Sequence, residues 1–179
     1  MFMLESVSST VKKVKSQAAN ILTLVNLSLG SLALLFIFKG SLTAGFVFIV
    51  LAALFDRFDG MVARKLQIES EFGKQLDSLC DLISFGIAPA FLLYQTALSD
   101  FGIPGMLFTI IYIACGAIRL ARFNITEFTG AFVGVPITVA GCILAVGYLL
   151  VPVIPSFVFM FITILLSFLM ISTLSIQKR

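Results

Sequence analysis

Polar positions are so sparse along this chain that the apolar runs between them define its elements. Six such runs extend over about 21–38, 42–63, 74–98, 103–123, 134–151 and 156–176. A helical crossing of a hydrocarbon layer needs about 20 apolar residues, so each run predicts one membrane-spanning helix. The connections are short and polar or turn-forming: Lys39-Gly40-Ser41, the stretch RKLQIESEFG from Arg64 to Gly73, Asp100-Phe101-Gly102, NITEFTGAF from Asn124 to Phe132, and Pro152 to Pro155. Ahead of the first run, Val7, Val11, Val14 and Ala18 recur at spacings of four, three and four, while Lys12, Lys13 and Lys15 turn mostly away. That spacing predicts an interfacial amphipathic helix over 1–19. A secretory signal peptide fits less well, because the run after Asn20 continues to Lys39-Gly40 without a small-x-small cleavage pattern. The expectation is an all-α integral membrane protein, with six transmembrane helices over 20–179 following the N-terminal interfacial helix.

Composition agrees and excludes several alternatives. Apolar residues make up 60% of the 179 and charged residues 12%, about half the charge of a soluble domain. Long unbroken apolar runs also exclude a β-barrel, whose strands alternate. A net charge of +3, thinly spread, is no nucleic-acid footprint. The absence of histidine removes imidazole from any mechanism and His-ligated zinc from any metal site. Cys80, Cys115 and Cys142 are odd in number and widely separated, which suits packing better than a disulfide framework. The basic residues then set orientation. Lys12, Lys13 and Lys15, then Arg64, Lys65 and Lys74, then Arg119 and Arg122, and finally Lys178 and Arg179 fall on one side, and only Lys39 on the other. The positive-inside rule therefore predicts a multi-pass protein of the cell membrane with both termini cytoplasmic.

Against this apolar background the second and third runs carry Asp56, Arg57, Asp59, Arg64, Asp77 and Asp81. A carboxylate at a helix centre costs about 2.5 to 3.5 kcal/mol on insertion scales, so these acids must share a polar interior. Asp56 and Asp59 are three apart and Asp77 and Asp81 four apart, and each pair projects from one helix face. Ion pairing with Arg57 and Arg64 would do no more than hold helices together. Four convergent carboxylates repel one another, however, unless positive charge is supplied. Hard divalent cations, Mg²⁺, Mn²⁺ or Ca²⁺, suit oxygen donors with no thiolate or imidazole nearby. Two such ions about 3.5 to 4 Å apart form the clamp used in displacement at phosphorus. Gly60, Ala63 and Gly73 are small positions beside the acids, where a ligand or a facing helix can approach the backbone.

As a pattern, DRFDGMVARKLQIESEFGKQLDSLCD reads D-x2-D-G-x2-A-R-x8-G-x3-D-x3-D. It resembles the signature of the CDP-alcohol phosphotransferase family at every defined position: Asp56, Asp59, Gly60, Ala63, Arg64, Gly73, Asp77 and Asp81. The resemblance implies a homodimer of six-helix chains whose active site lies on the cytoplasmic side. It implies that CMP is displaced from a CDP-linked lipid by an alcohol, with Asp56, Asp59, Asp77 and Asp81 holding two divalent cations, Mg²⁺ or Mn²⁺. Asp81 would also be the general base. Gly60, Ala63 and Gly73 would make room for the cytidine, and Arg64 would bind phosphate. Thr23 and Asn26, in a T-x2-N-x3-G stretch that family members share, would lie near the nucleotide.

The acceptor is indicated by a second stretch. Arg119-Leu120-Ala121-Arg122-Phe123-Asn124 looks like the R-x-A-R-F-N segment of the family's phosphatidylserine synthases, and FVGVPITVAG from Phe132 to Gly141 resembles a further segment of theirs, with Thr138 where proline is common. This implies L-serine as acceptor, CDP-diacylglycerol or CDP-archaeol as donor, and Arg119, Arg122 and Asn124 as contacts to serine or the lipid phosphate. Glycerol 3-phosphate or an inositol phosphate are alternative acceptors, since paired guanidiniums also suit an extra phosphate. A small cation transporter is the alternative from a different class. It requires polar residues along a continuous path, whereas here the outer half of each run is apolar apart from Lys39 and Asp100.

Overall fold

The computed structural model describes residues 2–66, 70–125, 131–172 and 175–177, with side chains over 20–58, 61, 70–125 and 134–172. Six helical segments follow the apolar runs: α1 (Phe2–Phe38), α2 (Leu42–Leu66), α3 (Glu71–Phe101), α4 (Ile103–Ile125), α5 (Ile137–Leu150) and α6 (Ser156–Ile171). Three stretches, Asn20–Phe38, Glu71–Phe101 and Ile103–Ile125, are long and apolar enough to cross a membrane. The chain is a membrane protein on this ground. Its perimeter fits that reading, since Leu35, Val47, Ile110, Val146, Phe161 and Phe168 are all exposed although apolar. Of the segment 1–19 expected to lie at the interface, residues 2–19 form the first part of α1 without a break before the apolar stretch, and their side chains fall outside the described residues.

Each turn has a local cause. Gly40, at φ 78°, ends α1: its N–H donates to the Ile37 carbonyl and that of Ser41 to the Phe36 carbonyl, both at 2.9 Å. Paired bonds of this kind satisfy the last carbonyls of a helix, and the left-handed residue they require is cheapest as glycine. Ser70 opens α3 by accepting from the Gly73 N–H at 3.0 Å, with Glu71 in the first turn.

α3 is the central helix and packs on all the others. Of its apolar window 56% is buried, against 28% for α1 and 33% for α4. It is also irregular. Directly after Asp81 the helix widens over Leu82–Ile87 into π-type turns, regains α geometry over Ala88–Leu93, and widens again over Tyr94–Leu98. Pro89 helps cause the first change, because it has no N–H to return to the Phe85 carbonyl four residues back. The Tyr112 hydroxyl of α4 donates to that carbonyl at 3.2 Å instead. Gly141 of α5 lies against the same residue: a Cβ there would stand 2.4 Å from the Phe85 oxygen and 2.8 Å from its Cα. Phe85, Leu93, Tyr112, Ile137, Leu144 and Phe159 form the main core around this junction, and Ala33, Ile37, Ile49, Ala88, Leu92 and Ala145 a second cluster. Tyr112→Phe is expected to lower unfolding free energy by about 1 kcal/mol, measured by denaturant titration in detergent. No change would remove the hydroxyl from the account of this junction.

Two features depart from the all-helix expectation. The last helix stops at Ile171 instead of running to Ile176, and Ala131–Val133 pairs antiparallel with Ser175–Gln177 as a two-stranded ribbon. The reason lies at the end of α6. The Val135 N–H donates to the Leu169 carbonyl at 3.1 Å, and Arg122 Nη1 to the Ile171 carbonyl at 3.0 Å. Gly134, at φ 74°, fits against the carbonyls of Leu169, Met170 and Ser172, where a Cβ would come within 2.7 to 3.0 Å of their oxygens. The helix terminus is thus held by groups from elsewhere in the chain, and the backbone leaves it extended at Ser172.

Candidate active site

α2 and α3 carry the acids to one place. Carboxylate oxygens of Asp56, Asp77 and Asp81 all lie within 4.8 Å of one another. Asp77 and Asp81 come from the regular first part of α3, and the widened segment starts at the next residue, Leu82. The helix is therefore regular where it presents its two acids and irregular just beyond them, a common arrangement at functional sites. Asp59, Gly60, Ala63 and Arg64 lie on the last turns of α2, but their side chains are outside the described residues. Three of the four expected carboxylates are therefore seen to converge.

The local electrostatics are unbalanced. Asp56 and Asp77 press on Asp81 as like charges, and Arg119 of α4 faces it as the counter-charge. Oδ1 of Asp81 and Nε of Arg119 are both buried without a hydrogen-bond partner. Such atoms carry a desolvation cost that an additional ligand would relieve. Three converging carboxylates with one orphaned oxygen fit a hard divalent cation, which takes oxygen donors in this number. Mg²⁺ or Mn²⁺ suits this donor set, since no sulfur or imidazole accompanies it among the described residues.

The remaining expected residues divide into groups. Thr23 and Asn26 of α1 are buried at 5% and 1% exposure, and Asn26 Oδ1 has no hydrogen-bond partner. Asn26 is tied to α3 through its backbone carbonyl, which accepts from Ser84 Oγ at 3.2 Å. Gly30 lets the helices approach there, since a Cβ would stand 2.3 Å from Ser84 Oγ. Gly73 faces its own cap and α1: a Cβ would meet Ser70 Oγ at 3.0 Å and Asn20 Oδ1 at 3.2 Å. Arg119 and Arg122 are three apart; Arg119 is near enough to Asp81 to act on it as a counter-charge, while Arg122 Nη1 donates to the Ile171 carbonyl at the end of α6.

Asn124 is committed to α3. Its Nδ2 donates to Gln75 Oε1 and to Ser78 Oγ, each at 3.0 Å, and its Oδ1 lies 3.1 Å from Ser78 Oγ. Its backbone carbonyl accepts from Lys74 Nζ at 3.3 Å, and that ammonium sits 5.4 Å from the Phe123 ring centroid. Gln75, Ser78 and Ser84 stand out in no sequence motif, and Tyr112, which the lack of tryptophan marks as an interface anchor, is fully buried. The only available signal was polar residues on one face of an otherwise apolar helix, and Lys74, Gln75 and Ser78 do show it.

Comparison with known proteins adds the following. A family model described as CDP-alcohol phosphatidyltransferase matches residues 16–170. The archaetidylserine synthase of Methanothermobacter thermautotrophicus is 43% identical over 144 residues, covering 77% of this chain and 61% of that protein. The CDP-diacylglycerol–serine O-phosphatidyltransferase of Methanocaldococcus jannaschii is 44% identical over 126 residues, covering 70% of this chain and 57% of that protein. The protein of the same name from Bacillus subtilis is 38% identical over 126 residues, covering 70% of this chain and 71% of that protein. The chain thus spans about three fifths of the length of the first two relatives.

Proposed function

This chain belongs to the CDP-alcohol phosphatidyltransferase family, and from that premise we propose that it transfers a phosphatidyl or archaetidyl group from a CDP-linked lipid to the hydroxyl of L-serine. CMP is the second product. The observation that carries the reading is the convergence of Asp56, Asp77 and Asp81 beside Arg119, at the end of α3 that precedes its widened segment. The serine assignment is supported by the names and similarity of the relatives, together with the Arg119 to Asn124 stretch.

In this reading Asp56, Asp77 and Asp81, joined by Asp59, hold two divalent cations, Mg²⁺ or Mn²⁺. Such ions, when bound, neutralise the diphosphate and the charge that develops on it. The chain's own groups do the rest. Asp81 takes the proton of the serine hydroxyl as the new oxygen–phosphorus bond forms and the bond from that phosphorus to the CMP oxygen breaks. Asn26 offers a buried amide oxygen and Thr23 a hydroxyl to the nucleotide, and Gly60, Ala63 and Gly73 leave it room. Arg64 binds phosphate, and Arg119 with Arg122 forms the basic side that receives the serine carboxylate or the lipid phosphate. Asn20–Phe38 of α1 and the helices α2 to α6 cross the bilayer, both termini and the site are cytoplasmic, and the chain works as a homodimer.

The test is acceptor selectivity. The chain, purified in detergent with Mn²⁺ and CDP-diacylglycerol or CDP-archaeol, is offered L-serine, glycerol 3-phosphate or an inositol phosphate in parallel. CMP release with serine alone is the expected result, and release only with a phosphorylated alcohol would overturn the serine assignment. With the serine carboxylate as its partner, Arg119→Ala is expected to raise the KM for serine about tenfold or more while leaving CDP-lipid binding within about twofold, as loss of a charge-assisted contact worth ~1.5 to 3 kcal/mol implies; the reverse split would assign Arg119 to the lipid phosphate. Equal losses for both substrates would remove Arg119 from the acceptor side.

A further inference from the structure

Resting on the metal-dependent reading above, we propose that Asn124 is a positioning residue that acts through Ser78 and Gln75 to set the acidic face of α3 against Arg119. Asn124 closes α4 one turn beyond Arg119, and its side-chain amide is occupied on both ends by α3. The Ser78 hydroxyl has one proton and two acceptors, the Lys74 carbonyl and Asn124 Oδ1, each at 3.1 Å, and it accepts from Asn124 Nδ2 at 3.0 Å. Gln75 Oε1 takes the other amide proton, and Lys74 Nζ bonds the Asn124 carbonyl. Each of these four side chains thereby bonds across the joint between two helices, with the Asn124 amide engaged at both ends when a substrate arrives.

What this joint fixes follows from helix geometry. Ser78 is the residue after Asp77 and lies one turn before Asp81, so rotating or sliding α3 relative to α4 moves both carboxylates together. Asp81 faces Arg119 from α3, and Arg119 is carried by the same helix as Asn124. The joint and the opposed charges of Asp81 and Arg119 therefore lie between the same two helices, and the first sets the register of the second. Groups that hydrogen-bond a metal ligand directly change metal affinity or activity by about 10- to 100-fold when removed, and a joint that acts on the ligands through their helix is expected at the lower end of that range. Serine, in contrast, would be met by Arg119 and Arg122, and Asn124 would touch no reacting group.

The experiment uses the full chain in detergent and two readouts: Mn²⁺ affinity by electron paramagnetic resonance, which needs no acceptor, and CMP release with serine. Ser78→Ala and Asn124→Ala are each expected to weaken Mn²⁺ binding and lower kcat by about tenfold, with the KM for serine unchanged. The double variant is expected to lose no more than either single one, because the two residues act as a unit. Ser78→Thr, which keeps the hydroxyl, is expected to recover most of both. Losses that multiply in the double variant, or unchanged Mn²⁺ affinity in both single variants, would overturn the proposal. A raised serine KM in Asn124→Ala at unchanged Mn²⁺ affinity would overturn it in favour of direct contact with the acceptor. If the unsubstituted chain binds Mn²⁺ but releases no CMP with serine, the serine reading fails alone, and the Mn²⁺ arm still decides whether the joint positions the acids. Failure of the unsubstituted chain to bind Mn²⁺ would overturn both.

Discussion

Asp81→Asn is expected to reduce CMP release by about 10³-fold or more while CDP-lipid binding stays measurable. Asparagine keeps the shape of the side chain and removes two things, the negative charge and the capacity to take a proton. Loss of a general base alone costs about 10²- to 10⁴-fold. Weakened cation binding adds to this, since Asp81 supplies one of the three converging carboxylates. The residue stands against Asp56 and Asp77 on one side and Arg119 on the other, with one oxygen buried and unpartnered. Arg119 acts on it as a counter-charge, which suits a group that must be placed accurately and still act on a substrate. Full activity in Asp81→Asn, read as CMP released at saturating serine and Mn²⁺, would remove Asp81 from the mechanism.

The second large effect is expected far from any charge. Gly141→Val should lower unfolding free energy by about 3 kcal/mol or more and reduce activity with it, because the clash it creates is with backbone and not with a side chain that can turn away. A Cβ at Gly141 would stand 2.4 Å from the Phe85 carbonyl oxygen, and Phe85 lies in the widened part of α3, one turn beyond Asp81. To make room, α3 must move away from α5, and Asp81 moves with it. Denaturant titration in detergent reads the first effect and Mn²⁺ affinity the second. Stability and affinity both unchanged would mean that α3 and α5 do not meet at this glycine.

These two expectations differ in how far they could be foreseen. Asp81 was legible in the sequence because charge in an apolar run is expensive, and the spacing of Asp77 and Asp81 placed both acids on one face. The helical segments were legible for the related reason that a backbone in hydrocarbon must satisfy its own hydrogen bonds, so apolar length alone marks them. Gly141 was not legible as a contact. Its partner is the Phe85 backbone, 56 positions earlier by the difference of their numbers, and nothing near Gly141 records where α3 runs. The widening of α3 was hidden similarly. Pro89 and Gly86 hint at an irregularity, but the Tyr112 hydroxyl that reaches the Phe85 carbonyl comes from another helix. The end of α6 shows the same limit, since Ile171 is followed by more apolar and polar residues without a break in pattern. What stops the helix is Gly134, Val135 and Arg122 arriving at its last carbonyls. The motif around Asn124 points it at the acceptor, and its hydrogen bonds to Gln75 and Ser78 follow only from where α3 runs.

The central claim is that the carboxylates of α2 and α3 hold divalent cations for displacement of CMP. Crystals of the chain grown with Mn²⁺ and a CDP-lipid test it most directly, through anomalous scattering at the manganese edge. Two peaks within coordination distance of Asp56, Asp77 and Asp81, both lost in Asp77→Asn, are the predicted result. Anomalous density absent from among those carboxylates, or peaks that persist unchanged in Asp77→Asn, would contradict the account.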